Sequence, residues 1–219
     1  KVAAMHRVTD TYGPIPYLNF GVSKEVPYDS QKDVYYRFFE ELDGAINNLD
    51  SYAASGNKVL SSWDCVFNGD VTSWIKFANS LRLRLALRLA YVDETKAKSE
   101  AQLAIGNSYG LMNVKSDLAE LQHITPIATY ESPLYILKGW DDICMGATLD
   151  SYMNGYQDPR LSAYFEAGTG GKYRGIRAGM SKDVSKDKYI TGIFAEPQAT
   201  ATSNVVWMRS SESYFLLAE

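Results

Sequence analysis

The chain has 219 residues, of which 46% are hydrophobic and 22% charged, and these proportions are typical of a globular domain with a substantial core. Its formal net charge of −4 argues against a nucleic-acid partner, because proteins that bind nucleic acid usually carry a basic surface. Sixteen tyrosines, eight phenylalanines and four tryptophans provide aromatic surface for a large core or for stacking on a ligand.

A short helical piece followed by a loop is predicted for residues 1–27, where the two prolines of YGPIPY restrict the backbone. The first strong helix is predicted over residues 29–55, with Asp29 or Ser30 as its cap. Apolar residues recur there at helical spacing and form one face: Tyr35, Phe38, Phe39, Leu42, Ala45, Ile46 and Leu49.

Residues 70–92 contain the run LRLRLALRLA, which alternates as a strand would. We nevertheless predict a helix, because Leu, Arg and Ala are strong helix formers and the run lacks β-branched residues. Trp74, Phe77, Leu81 and Leu85 are the predicted core positions. A helix that is apolar nearly all round is enclosed by neighbours. Its arginines should therefore find carboxylate or carbonyl partners, or reach water along their stems.

The third helix is predicted from Asp93 to about Asn107, and residues 110–138 read as irregular. A fourth helix is predicted over about 141–154, ending before Asp158. The remainder of the chain should be less regular.

Residues 166–205 are rich in glycine and polar residues and are predicted to form loops. Short strands are predicted around Tyr189–Phe194 and Val205–Met208, and a last helix begins near Ser210 or Ser211. Helices in successive pairs suggest a solenoid of tetratricopeptide type, although no clean repeat is present. Periodicity therefore predicts a mostly helical, repeat-like fold.

Five segments together resemble the SusD/RagB family of outer-membrane lipoproteins. They are YGPIPY at 12–17, VPYDSQKDVYYRFFEELDGAINNL at 26–49, GDVTSWIKFANSLRLRLALRLA at 69–90, DPRLSAYF at 158–165 and SESYFLLAE at 211–219. The long helix motif is the specific one, and the order and spacing of the segments also match. Ser73 departs from the family pattern, which usually has a basic residue there.

The resemblance implies a mostly α fold, in which tetratricopeptide-like helix pairs support an irregular, loop-rich part. We expect residues 1–219 to be the middle of a longer family member. The scaffold would occupy 28–110, the ligand-binding part 111–209, and the start of a further scaffold helix 210–219.

Family members of this kind are lipid-anchored on the extracellular face of the outer membrane, bind nutrients, and act as a lid on a SusC-like TonB-dependent transporter. The implied function is thus non-enzymatic oligosaccharide binding with this transporter as partner. The membrane would be reached only through a lipid anchor. Some relatives handle peptides, so a peptide receptor is an alternative. A helical scaffold that binds only proteins is another, because helix pairs often present concave surfaces to partners.

Candidate ligand-binding residues are aromatic and polar groups in the predicted loops. A sugar ring stacks its C–H face on an exposed aromatic ring, while its hydroxyl groups need polar neighbours. This reasoning selects Trp207, Tyr173, Arg174, Tyr189, Trp63 and Trp140. Arg177, Asp64, Asn68, Asp141 and Asp142 are the associated polar groups. Burial in the core is the competing interpretation for each aromatic residue.

No residue pattern indicates catalysis, a metal or a cofactor. Adjacent acids such as Asp141 and Asp142 cannot face each other on one helix, as a glycosidase pair must. His6 and His123 lie in no nucleophile motif. GTGGKY at 168–173 lacks the Ser or Thr of a phosphate-binding loop. Cys65 and Cys144 can either pair or remain free thiols.

Overall fold

The computed structural model describes residues 1–55, 61–124, 129–179 and 192–219. The chain divides into two compact units. The first comprises Lys1–Leu121 and Val206–Glu219, and the second comprises Gln122–Val205. The architecture is mainly helical, with only short strands among the described residues.

The described residues of the first unit form five helices: α1 (Val2–Tyr12), α2 (Gln31–Ala53), α3 (Val71–Arg88), α4 (Glu94–Ile105) and α8 (Ser210–Ala218). Side chains cap three of them. Ser30 accepts a hydrogen bond from the Asp33 amide at 3.1 Å, and Asp70 and Asp93 serve α3 and α4 in the same way. Asp29, the alternative cap for α2, instead accepts from the amides of Tyr17 and Leu18 and fixes the preceding loop.

Helix α3 is the central element of the first unit and contacts α2, α4 and α8. The helix predicted through LRLRLALRLA is confirmed as far as Arg88, and Leu81, Leu83 and Leu85 on it are all buried. Arg82 is buried as well, and its Nε donates to Glu100 of α4 at 2.6 Å. This enclosed ion pair therefore ties α3 to α4.

The main core lies between α2 and α3. Phe38, Phe39 and Ile75 are among its fully buried side chains. Tyr17 from YGPIPY packs edge-on against Phe38, with ring centroids 5.1 Å apart, and donates its hydroxyl to Glu41 at 2.6 Å. The proline-rich loop thus belongs to the core of the first unit.

Strand β1 (Leu118–Leu121) pairs with β4 (Val205–Arg209), which leads directly into α8. The strand predicted around Val205–Met208 is confirmed. In contrast, the prediction that 110–138 is irregular was wrong in part, because this range contains β1 and a helix. The strand at β1 is defined by its pairing with β4, and Ala119 within it is fully buried in the core.

The second unit contains α5 (Pro133–Gly139), α6 (Ala147–Gly155) and α7 (Leu161–Tyr164). Strand β2 (Phe165–Glu166) pairs antiparallel with β3 (Glu196–Pro197). A small core of its own holds Met145, Met153, Phe165 and Ala195.

Two predicted boundaries in the second unit need correction. The helix predicted over 141–154 begins at Ala147, because Met145 donates its amide to the Ala195 carbonyl at 2.8 Å and is drawn into extended backbone pairing. The strand predicted at Tyr189–Phe194 falls mostly outside the described residues. Its described end forms a turn, and β3 begins at Glu196.

Candidate functional site

Trp63 lies on a loop of the first unit and is exposed, with 67% of its surface accessible. The neighbouring Asp64 fixes this loop to α3 by accepting from the Trp74 indole Nε1 at 2.7 Å. It also accepts from three backbone amides, those of Val66, Phe67 and Gly69. The loop therefore has a defined conformation, and the Trp63 ring is accessible to a ligand.

The Asp64 carboxylate is fully engaged within the protein. Burial alone would raise the pKa of Asp64, but its hydrogen bonds from Trp74 and the backbone amides lower that pKa below the usual value. Asn68 and Gly69 adopt left-handed backbone conformations (φ 57° and 76°) that bring the amide of Gly69 to the carboxylate. Asp64 is thus placed to organise the loop.

Trp207 lies on β4 and is half-buried at the edge of the main core. Its ring centroid is 6.2 Å from that of Phe77, and its carbonyl accepts from Arg84 at 3.2 Å. Together with Trp74, Trp207 lines a cavity of about 640 Å³ whose walls are largely apolar side chains of α1, α2 and α3. Trp207 therefore packs against the main core, and part of its ring lines this cavity.

A second cavity of the first unit, about 610 Å³, lies where α1, α2 and α3 meet. Its polar groups bind mainly one another. The Tyr35 hydroxyl donates to Asp10 at 2.5 Å, Arg88 pairs with the same Asp10, and Tyr36 donates to Asp93. Burial raises the pKa of Tyr35 to about 12, so this phenol stays protonated. The arrangement is that of a hydrogen-bonded helix junction.

Tyr173 and Arg174 are adjacent in the second unit and differ in exposure. Tyr173 is half-buried against the small core, and its carbonyl accepts from Asn154 Nδ2 at 2.8 Å. The Arg174 carbonyl accepts from the Ala195 amide at 2.9 Å, whereas its side chain is exposed, as is that of Arg177. The segment offers an exposed guanidinium group beside a partly available phenol ring.

Trp140 follows α5 in the second unit and is 67% exposed, like Trp63. The next residue, Asp141, has a left-handed backbone (φ 57°), which ends the helix and leaves Trp140 at its tip. Tyr189 lies outside the described residues. The predicted residues therefore fall into two groups: Trp63 and Trp207 in the first unit, and Trp140, Tyr173 and Arg174 in the second.

Sequence reasoning missed two exposed tyrosines, Tyr152 on α6 and Tyr156 immediately after its end. Their rings stack at a centroid distance of 6.3 Å. Only Tyr152 fell within the helix predicted over about 141–154, so the sequence carried little signal for the pair.

Three further observations concern metal-binding groups, the cysteines and membrane-spanning helices. Within the described ranges, no group of three or more His, Cys, Asp or Glu side chains is arranged to hold a metal ion. Both cysteines carry free thiols. None of the helices in the described parts of the chain combines the length and apolar composition needed to cross a bilayer.

Comparison with known proteins identifies relatives across the whole chain. The family model for SusD-like proteins, described as Susd and RagB outer membrane lipoprotein, matches residues 1–219. A SusD homologue from Bacteroides vulgatus ATCC 8482 is 38% identical with a TM-score of 0.87, and the alignment covers 100% of this chain and 45% of that one.

Two further solved structures show the same relationship. A chitin-binding SusD homologue from Flavobacterium johnsoniae is 37% identical, with a TM-score of 0.83 and coverage of 98% of this chain and 44% of that one. A SusD-like protein from Bacteroides thetaiotaomicron VPI-5482 is 33% identical, with a TM-score of 0.85 and coverage of 99% and 45%. The chain thus spans less than half the length of these structures. No curated protein matches it.

Proposed function

Because the chain belongs to the SusD/RagB family of outer-membrane lipoproteins, we propose that it is part of a surface receptor that binds an oligosaccharide nutrient without altering it chemically. In this proposal the receptor is lipid-anchored on the extracellular face of the outer membrane and acts as the lid of a SusC-type TonB-dependent transporter.

The observation that carries this proposal is the exposure of Trp63 and Trp140 on fixed loop positions. An exposed indole ring offers a flat apolar face on which the C–H face of a sugar can stack. Because the Asp64 hydrogen bonds already hold the Trp63 loop, binding would order few additional groups. The chitin-binding relative from Flavobacterium johnsoniae supports a carbohydrate as ligand.

The proposed binding groups are those selected from the sequence. Trp63 and Trp140 supply open ring faces, and Arg174 supplies hydrogen-bond donors. Tyr173, Tyr189 and Trp207 complete the set. The engaged state of Asp64, whose carboxylate accepts four hydrogen bonds, suits a binding role better than acid–base chemistry.

A glycan and peptide array with the full chain, followed by calorimetry on any hit, tests the proposal. We expect saturable binding of one oligosaccharide class without turnover, weakened about tenfold in Trp63→Ala or Trp140→Ala. Tyr91→Ala is the control, because Tyr91 is 97% exposed but was not selected as a binding residue.

Two array results would contradict the oligosaccharide proposal. Binding of peptides alone would identify a peptide receptor. No response to any glycan or peptide, together with firm co-purification of a transporter barrel, would identify a lid or scaffold without a ligand of its own.

A further inference from the structure

Helices α2 and α3 each contribute an apolar stripe to the cavity of about 640 Å³ in the first unit. The two stripes consist of Trp74, Phe77, Ala78 and Leu81 on α3, and of Leu42, Ala45 and Leu49 on α2. Residues three, four and seven positions apart share one face of a helix. The cavity is therefore an apolar groove between two neighbouring helices, which we call the α2–α3 groove.

The aromatic walls of the α2–α3 groove are held by contacts outside it. The Trp74 indole donates to Asp64 at 2.7 Å, and the Trp207 ring packs against Phe77 with ring centroids 6.2 Å apart. Both tryptophans remain partly accessible, and Ala45 is exposed. The groove is thus formed and open in the structure, so an occupant would order few additional groups of the protein.

The apolar lining favours a helix over a sugar as occupant. An oligosaccharide in the groove would leave most of its hydroxyl groups without hydrogen-bond partners, which is costly. A helix satisfies its own backbone groups and can lay one apolar face into a groove through residues at i, i+3, i+4 and i+7. The small side chains of Ala45 and Ala78 allow a helix axis to come close.

The charges beside the groove indicate an acidic residue on the occupant. The negative charge of Glu41 is already matched, because it accepts hydrogen bonds from Lys1 at 2.7 Å and from Tyr17 at 2.6 Å and pairs with Arg37. Arg7 also lines the groove, is exposed, and forms no ion pair among the described residues. An Asp or Glu on a docked helix would supply the missing partner.

We propose that the α2–α3 groove receives an amphipathic helix of the same polypeptide, from outside residues 1–219, with an acidic residue facing Arg7. More than half of the homologue from Bacteroides vulgatus lies outside the match to this chain, so a related protein of that length has polypeptide to supply such a helix. A helix of the same polypeptide also avoids the translational and rotational cost of binding a separate partner.

Docking of this helix would affect one of the candidate sugar-binding residues. It would cover the part of the Trp207 ring that lines the groove, and would leave the exposed Trp63 and Trp140 as they are. The inference does not depend on the proposed receptor function.

Thiol labelling at Ala45 tests whether the groove is covered. Ala45→Cys is introduced, with Cys65→Ser and Cys144→Ser, into residues 1–219 and into the complete natural protein that contains them. We expect a maleimide to react at least about tenfold more slowly in the complete protein, because the docked helix covers this position. Asn47→Cys, an exposed position on the opposite side of α2, is the matched control and should react at similar rates in both proteins.

A benzophenone maleimide attached to the same Ala45→Cys variant identifies the occupant. After irradiation of the complete protein, mass spectrometry should place the crosslink in a segment of the same molecule outside residues 1–219. Arg7→Glu should raise the maleimide reaction rate of Ala45→Cys severalfold in the complete protein and leave it unchanged in residues 1–219.

Three results would overturn the proposal: equal reaction rates of Ala45→Cys in the two proteins, equal protection of Asn47→Cys, or a crosslink to a second copy or to a separate protein. Each of them leaves the glycan array unaffected, so failure of the groove assignment is distinguishable from failure of the proposed function.

Discussion

Arg84 of α3 binds Glu212 of α8 through two parallel hydrogen bonds, from Nε to Oε1 at 2.5 Å and from Nη2 to Oε2 at 2.7 Å. A third hydrogen bond from Nη2 reaches the Trp207 carbonyl on β4. One arginine thus holds both the last strand and the last helix of the first unit against its central helix. The two charged partners are 128 residues apart in the sequence.

Removing Glu212 should destabilise the first unit. The Arg84 side chain is only 11% exposed, so Glu212→Ala would leave a poorly hydrated charge without its main partner. Because Glu212 itself is 35% exposed, we expect a loss of about 2 kcal/mol, below the range for fully buried pairs. Denaturant unfolding monitored by circular dichroism measures this loss.

Glu40→Ala, which breaks the exposed pair with Arg37, is the control and should lower the free energy of unfolding by less than about 0.5 kcal/mol. Equal losses in the two variants would contradict this assignment.

Burial of His6 on α1 should make stability depend on pH. The Val2 carbonyl 3.1 Å away can only accept, so Nδ1 carries the proton of the neutral ring. Burial, with smaller effects from Arg84 and Arg88, lowers the pKa of His6 below 6.5. The unfolded chain therefore takes up this proton first, and the stabilising contribution is complete above about pH 6.5 and declines as the pH falls through the folded-state pKa.

Comparison of the parent chain with His6→Gln isolates this contribution, because the carboxylates titrate equally in both proteins. The difference in unfolding free energy should shrink between about pH 7 and pH 5. A difference that stays constant over this range would show that His6 does not titrate with folding.

Asp64 should stabilise the Trp63 loop through its four hydrogen bonds. In Asp64→Asn the new side-chain NH2 group would face the N–H groups of Gly69 and Trp74, so these hydrogen bonds would be lost. We expect the free energy of unfolding to fall by about 2 kcal/mol and protease cleavage in the loop to become faster. Asp50→Asn is the control, because that side chain accepts from the exposed Tyr109 hydroxyl and should cost under about 1 kcal/mol. An unchanged cleavage rate in Asp64→Asn would mean that other contacts hold the loop.

Gly175 should not tolerate a side chain. A Cβ there would lie 2.5 Å from backbone atoms of Gly146, immediately before α6, and backbone cannot move aside easily. We expect Gly175→Ala to destabilise the second unit by about 2 kcal/mol or more. Gly139→Ala, at the end of α5 with open space around it, should be neutral or slightly stabilising. Differential scanning calorimetry measures both, and an unchanged transition in Gly175→Ala would refute the close approach.

Several features of the fold followed from the sequence because they depend on local interactions. Helices α2, α3 and α4 lie where apolar spacing and capping residues predicted them. The expectation that the arginines of α3 find carboxylate or carbonyl partners is confirmed for Arg84, which binds one of each. The resemblance to SusD and RagB proteins is confirmed by the family match and by the solved structures.

Other features did not follow from the sequence, because their cause lies far away in the chain. The short strand β1 forms by pairing with β4, which is far away in the sequence. The pattern of its own four residues was therefore not enough to predict a strand. Likewise, Met145 is extended because of its hydrogen bond to Ala195, although the local pattern favoured a helix. Long-range pairing outweighs local propensity at both places.

The sequence by itself determined the helical scaffold and the family, since both depend on residue order within single helices and motifs. It selected Trp63, Trp140 and Trp207 as equivalent candidates. Only the tertiary structure separated the exposed Trp63 and Trp140 from the half-buried Trp207. The physical reason is that a helix forms through contacts within four residues, whereas the exposure of an aromatic ring depends on whatever distant segments pack against it.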